Sequence, residues 1–117
     1  MIIALWRGFA DEAQARQFVR HEIRYLKSHD MRCELVESPE GQIMIRFVLQ
    51  DYDMARMRFQ QISRSHPGLV LRMRDDENAQ QLELRGGEMS VRPGPPGCLE
   101  PSDNCFRVRE VLYETFA

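Results

Sequence analysis

The spacing of apolar residues changes period along this chain, and each change marks an element. Residues 2–7, IIALWR, are dense in apolar and aromatic side chains and stop at Gly8, which predicts a strand. Over FADEAQARQFVRHEIRYLKSHD, Ala15, Phe18, Val19, Ile23 and Leu26 recur at helical spacing. Asp11 stands as N-cap with Gln14 three residues on, a capping-box pattern, and His29 and Asp30 mark the exit. MRCELVES alternates Met31, Cys33 and Leu35 against Arg32, Glu34 and Val36, the period of a strand. The turn at Pro39 to Gly41 leads into GQIMIRFVLQ, where Ile43, Ile45, Phe47 and Leu49 share one face, so the two strands form a hairpin.

A second helix is expected over DYDMARMRFQQISRSHPG. Asp51 or Asp53 would cap it, Ala55, Phe59 and Ile62 make its stripe, Met54 and Met57 widen that stripe, and Pro67 and Gly68 end it. LVLRMR returns to period two before DDENA breaks it. QLELRGGEMSVR reads as a further hairpin turning on Gly86 and Gly87, because two-residue turns of this kind need positive φ. PGPPGCLEPSDN is a loop by composition. The tail FRVREVLYETFA fits a helix through Val108, Val111, Leu112, Thr115 and Phe116. Phe106, Val108 and Leu112 also fit a strand, and the helix is the expectation taken.

The order is β-α-β-β-α-β, then a hairpin and a tail. It predicts an α+β, ferredoxin-like fold: an antiparallel sheet with two helices on one face, plus an extra C-terminal hairpin and tail. Residues 1–92 hold that domain with its hairpin; residues 93–117 are a Pro-rich loop and a C-terminal helix or strand packing on the same domain. Alternation assigns Ile2, Ala4, Trp6, Cys33, Leu35, Ile43, Ile45, Phe47, Leu69 and Leu71 to the helix-covered face, with the first strand, apolar on both faces, open to the inverse assignment. Ala4 and Gly8, being small, suit close helix approach. The open face then mixes Ile3, Leu5, Val36, Met44, Val48 and Val70 with Arg7, Arg32, Arg46, Arg72, Arg74 and Glu34.

Length and charge narrow the functions. A chain of 117 residues is one domain, large enough to bury a core without metals or disulfides. The net charge of -2 gives no global basic field, which argues against nucleic acid. The RNA-recognition module has this topology but needs exposed rings on its third strand, where Gln42 and Met44 stand here. No segment has a signal-peptide pattern or the length of a membrane span, and three cysteines suit no disulfide framework, so a cytoplasmic protein is expected. Lys27 is the one lysine beside many arginines, which can fork onto carboxylates and phosphates.

The mixed face admits three readings: a solvated surface, a homodimer interface, or an anion site where Arg7, Arg46 and Arg72 converge. The homodimer is favoured, and a dimer enclosing a cavity would combine the last two. The ligand- or partner-binding residues are taken as Arg7, Met44, Arg46, Arg72 and Arg74.

Met1, Ile2, Trp6, Arg7 and Gly8 resemble the opening of antibiotic-biosynthesis-monooxygenase-like domains, and RFVLQDYDMARMRF is similar to that family's strand followed by an acidic-capped helix. The resemblance covers the first strand and about a third of the chain loosely. It implies a ferredoxin-like fold paired into a dimeric α+β barrel. The chain departs from the pattern where HDM leads straight from helix to strand, without the family's longer connection. The haem-degrading branch uses an Asn, a Trp and a His. Asn78 and Asn104 lie in loops, Trp6 faces the helices, and His21 is the nearest candidate, beside Glu22 and Tyr25. So the resemblance bears on fold and pairing more than on activity.

Other constellations point to structure. Cys98 and Cys105 in GCLEPSDNC are too widely spaced, without a nearby His, for a zinc site, and Cys33 alternates as a small hydrophobe. His29 and His66 end their helices, where the dipole favours them. Asp75, Asp76 and Glu77 form a turn. No metal and no cofactor is expected. The expected function is a small non-catalytic binding or protein-interaction module, homodimeric through its open face, its partner itself, another protein or a small anionic ligand, with no nucleic acid and no membrane. The alternatives are a monooxygenase-like enzyme with a cavity at the dimer and an accessory subunit docking a larger protein.

Overall fold

A computed structural model describes residues 2–26, 30–50, 52–75, 80–93 and 106–115. Ile2–Arg7 forms β1 and Glu12–Leu26 forms α1. The hairpin is β2, Met31–Glu37, and β3, Ile43–Leu49. Tyr52–Ser65 forms α2, Val70–Asp75 β4, Gln80–Arg85 β5 and Glu88–Pro93 β6. Arg107–Glu114 forms β7. Among the described residues the seven strands make one antiparallel sheet in the order β6-β5-β4-β1-β3-β2-β7. The protein is therefore α+β, with an open sheet of seven strands and two helices. The second hairpin continues the main sheet past β4, and the tail closes the other edge on β2.

The tail is a strand, not the expected helix. β7 pairs with β2 through two irregularities. Cys33 faces Tyr113 while Glu34 faces Val111, and Leu35 faces Glu110 while Val36 faces Val108. Leu112 and Arg109 are thus extra residues, each a β-bulge. A bulge inserts one residue into a period of two, so the apolar positions 108, 111 and 112 acquire helix-like spacing. The unpaired edge of β2 is what draws the segment into the sheet.

Local signals account for the remaining elements. Asp11 caps α1: its Oδ1 accepts the N–H of Gln14 at 2.8 Å. The return bond of the capping box is displaced by one residue, with Gln14 Oε1 accepting from the N–H of Ala10 at 2.6 Å. α2 starts at Tyr52, so Asp53 lies inside its first turn, and the alternative cap Asp51 lies outside the described residues. The β5–β6 turn has Gly86 at φ 59 and Gly87 at φ 83, both positive as expected. Ser63, fully buried on α2, accepts the Gly87 N–H at 2.9 Å and ties that turn to the helix. Gly8 serves a different contact from the one expected. At φ 106 it lies against the α2–β4 loop, where an added Cβ would sit 2.4 Å from the Gly68 carbonyl oxygen.

The main core fills the space between helices and sheet. Ile2, Ala4, Trp6, Cys33, Leu35, Ile45, Phe47, Leu69 and Leu71 all face it, with Ile43 packed at its margin, as alternation predicts. Trp6 is fully buried, edge-on to Phe18 and to Phe59 at 5.7 Å each. α1 contributes Ala15, Phe18 and Val19, and α2 contributes Phe59 and Ile62. Met57 does not widen that stripe; it is 66% exposed. β4 runs one residue into the expected turn, and Asp75 is buried. Among the described residues no helix is long and apolar enough to cross a membrane.

Candidate functional site

The open face of the sheet is a lattice set by the strand registers. One row across it reads Glu34, Arg46, Leu5, Arg72, Glu83 and Ser90, on β2, β3, β1, β4, β5 and β6. The next row reads Arg32, Val48, Ile3, Arg74, Gln81 and Arg92. Arg7 stands opposite Val70 beyond the first row. The two halves of this lattice have different chemistry.

The half on β1, β2 and β3 is closed within one chain. Ile3, Leu5, Val36, Met44 and Phe106 form a second buried cluster, with Val48 and Val108 packed against it. Phe106 therefore covers part of the face that the sequence leaves open. Glu34 and Arg46 lie beside this cluster with side chains 2% and 7% exposed. Arg46 Nε donates to Glu34 Oε1 at 2.5 Å, and its Nη2 meets the same carboxylate. Arg32 Nε donates to Glu34 Oε2 at 2.9 Å, and Arg32 also reaches Glu114 at 3.4 Å. The Arg46 guanidinium sits 5.6 Å from the Phe106 ring centroid, a cation–π distance. Buried charges must be paired, and this arrangement pairs them. Of the residues assigned to binding, Met44 and Arg46 are thus enclosed by the fold. Cys33 lies behind the triad, and burial, with the charge of Glu34 adding to it, pushes its thiol pKa up.

The half on β4, β5 and β6 is open. Arg7, Arg72 and Arg92 line a cleft of about 80 Å³ together with Gln81, Glu83 and Ser90. Among the described residues none of these three arginines makes a hydrogen bond or ion pair, and each stays at least partly exposed. Glu83, although opposite Arg72 in register, approaches Arg85 instead, at 3.9 Å. The cleft thus carries three cationic forks against one carboxylate, with an amide and a hydroxyl beside them. Arg74 lies one row away and is engaged in an interaction of its own. The structure brings Arg7 and Arg72 together as expected, leaves Arg46 out, and adds Arg92 and Ser90. Those two went unread because they sit on a hairpin whose place in the sheet the sequence does not set.

A larger cavity, of about 380 Å³, opens on the helix side. Phe9, Phe18 and Leu69 form its apolar wall, and Gln14, Gln17 and His21 its polar rim, with Glu22 and His66 completing it. Glu22 is 1% exposed although charged. Arg58 of α2 holds both its oxygens, Nε to Oε2 at 2.8 Å and Nη2 to Oε1 at 3.0 Å. A glutamate four residues after Phe18, on the apolar stripe of α1, is the sequence signal for this pair.

Among the described residues no three of the His, Cys, Asp or Glu side chains gather where they could hold a metal ion. Cys98, Cys105, Asp76, Glu77, Asn78, Asn104 and His29 lie outside the described residues. Comparison of the chain with known protein families, with characterised proteins and with solved structures finds no match.

Proposed function

We propose that this protein is a small non-catalytic binding module whose ligand is a small anion held on the outer half of the open face. The observation that carries this reading is the cleft of Arg7, Arg72 and Arg92, three arginines without a partner among the described residues. Among the described residues Arg16, Arg32, Arg46, Arg58, Arg85, Arg107 and Arg109 each pair with a carboxylate, while Arg20, Arg24 and Arg64 on the helices are also unpaired but do not line this cleft, so it is the convergence of three such arginines that marks it. Guanidinium groups neither take nor give protons near neutral pH, so the cleft suits binding better than acid–base chemistry. Its volume fits one phosphate or carboxylate group rather than a whole nucleotide.

The central order β4-β1-β3-β2, with α1 and α2 on one face, supports the ferredoxin-like reading, with β5, β6 and β7 as additions. A homodimer through the open face would need apolar area, and much of that area is already buried within one chain. Light scattering separates the two readings: the anion module is a monomer, the homodimer a concentration-independent dimer.

The direct test is thermal unfolding with low-millimolar inorganic phosphate. A ligand at 100 times its Kd adds about 2.7 kcal/mol of stability. Arg72→Ala and Arg92→Ala should each lose the phosphate-dependent rise in Tm that the parent shows. An equal rise in parent and both variants would be a general salt effect and would remove the cleft from consideration.

A further inference from the structure

The helix-side cavity has chemistry opposite to that of the arginine cleft. Its one buried charge, Glu22, is neutralised by Arg58. What remains is an apolar wall and a rim of amides and imidazoles. We propose that this cavity is a second binding site, for a neutral, planar aromatic molecule bearing a carbonyl-type acceptor.

Three features define the ligand class. The volume, about 380 Å³, lies in the range of small-molecule sites, which are concave, mainly apolar and carry a few polar groups. The wall is already a herringbone of rings: Phe9 and Phe18 have centroids 5.2 Å apart at 56°, and His66 stands edge-on to Phe18 at 6.5 Å. A further flat ring continues that packing in the offset and edge-to-face geometries that aromatic pairs prefer. The rim offers donors. The Gln14 Oε1 is committed to the Ala10 N–H, which leaves its amide NH2 group to meet an acceptor. An anion gains less here than in the arginine cleft, because no arginine or lysine lines the cavity and His21 already stands 3.9 Å from Glu22. The site shares no lining residue with the arginine cleft, so it stands or falls independently of it.

The protein carries its own reporter. Trp6, its single tryptophan, lies 5.7 Å from Phe18, which forms part of the cavity wall. The probe is benzamide, followed by Trp6 fluorescence and by amide chemical shifts of the labelled full chain. The expected result is a saturable response with Kd of about 1 mM, fitting for so small a ligand. The shifts should centre on residues 9, 14–22 and 66–69. Benzoate, the same shape with a charge, and cyclohexanecarboxamide, the same head on a saturated, non-planar ring, should bind at least several-fold more weakly. Phe9→Leu removes a ring while keeping an apolar side chain, and Gln17→Ala removes an exposed rim amide. Each should weaken benzamide several-fold in a chain that still folds, with Tm unchanged for Gln17→Ala and slightly lowered for Phe9→Leu, which loses core contacts, and each should leave the phosphate response of the parent intact. Absence of a saturable shift at these residues overturns the proposal. So does benzoate binding as tightly as benzamide, or a Phe9→Leu variant that folds and binds like the parent.

Discussion

Removing the Glu34 carboxylate should unfold much of this protein's stability margin. The side chains of Glu34 and Arg46 are 2% and 7% exposed, and the carboxylate is the common acceptor for Arg46 and Arg32. In Glu34→Ala, the Arg46 guanidinium keeps its place between β3 and Phe106 but loses this partner. Breaking a buried pair from one side costs about 3–5 kcal/mol, and because Arg46 keeps a further interaction of its own the lower part of that range is expected. The Arg32 side chain is 36% exposed and can turn to water, so its share adds little. Against a total of about 5–15 kcal/mol for a domain, this is about a fifth or more. At ~3–6 °C per kcal/mol for a chain of this size, Tm should fall by roughly 9–30 °C. Urea unfolding followed by Trp6 fluorescence and by circular dichroism measures it, since Trp6 is fully buried in the native state. The pair Glu34→Leu with Arg46→Met should recover most of the loss, because an apolar pair needs no compensation. That double variant should also keep its phosphate response if Arg46 serves the fold and Arg72 and Arg92 serve the anion. The reasoning fails if Glu34→Ala costs less than about 1 kcal/mol, or if the double variant loses as much as the two single variants summed.

Three shorter tests follow from the same geometry. Gly8→Ala should destabilise by at least about 1–3 kcal/mol, since Gly8 holds φ 106 and an added Cβ would meet the Gly68 carbonyl oxygen at 2.4 Å. Gly68→Ala, with open space around it, is the control, and equal Tm values for the two variants would contradict this account. Glu12 lies in a chain of alternating charges running from Arg107 through Glu37, Arg109, Glu12 and Arg16 to Glu110, which fastens β7 to α1. The Arg16 hydrogen bond, with the Arg109 charge adding to it, holds the Glu12 carboxyl below its ordinary pKa, and a hydrogen bond to Glu110 raises Arg16. A lowered carboxyl contributes fully above its unfolded pKa and loses that contribution as pH falls through the folded value. Amide exchange in β7 should therefore quicken on acidification relative to β1, and Glu12→Gln should blunt this change; an unaltered acid response would refute the clasp. The Cys33 thiol, pushed up by burial, should resist a thiolate-selective reagent until the protein is unfolded, and labelling at the native rate of a free thiol would show that the core opens there.

Much of the fold was legible because period two leaves little choice where one face is buried. Alternation separates Ile2, Ala4 and Trp6 from Ile3, Leu5 and Arg7, but with both faces apolar it leaves open which set meets the helices; the structure puts Ile2, Ala4 and Trp6 there. The cap at Asp11 and the turn at Gly86 and Gly87 are equally local, each decided by one or two residues. The tail failed for a physical reason. Two bulges in β7 place extra residues at Arg109 and Leu112, and a strand with an insertion every third residue carries the apolar spacing of a helix. Only the partner strand distinguishes the two, and pairing to β2 joins residues 70 to 82 positions apart.

The site was legible as a list of arginines but not as a division of labour among them. Arg46 and Arg72 hold equivalent places, each directly opposite Leu5 in neighbouring strands. What separates them is the next residue across: Glu34 turns onto Arg46 beneath Phe106, while Glu83 turns from Arg72 toward Arg85. Whether an arginine is spent on the fold or left for a ligand thus depends on the rotamer of a carboxylate one strand away and on what covers it. Neither is written in local spacing. The same holds for the helix-side cavity, whose wall joins the β1–α1 loop to the α2–β4 loop. Its nearest local trace is Glu22, a charge on the apolar stripe of α1 that makes sense only once Arg58 of α2 is packed against it. Buried charges at pattern-breaking positions are therefore the sequence feature to follow here: Glu34 marks where the open face closes, and Glu22 marks where the helix layer opens.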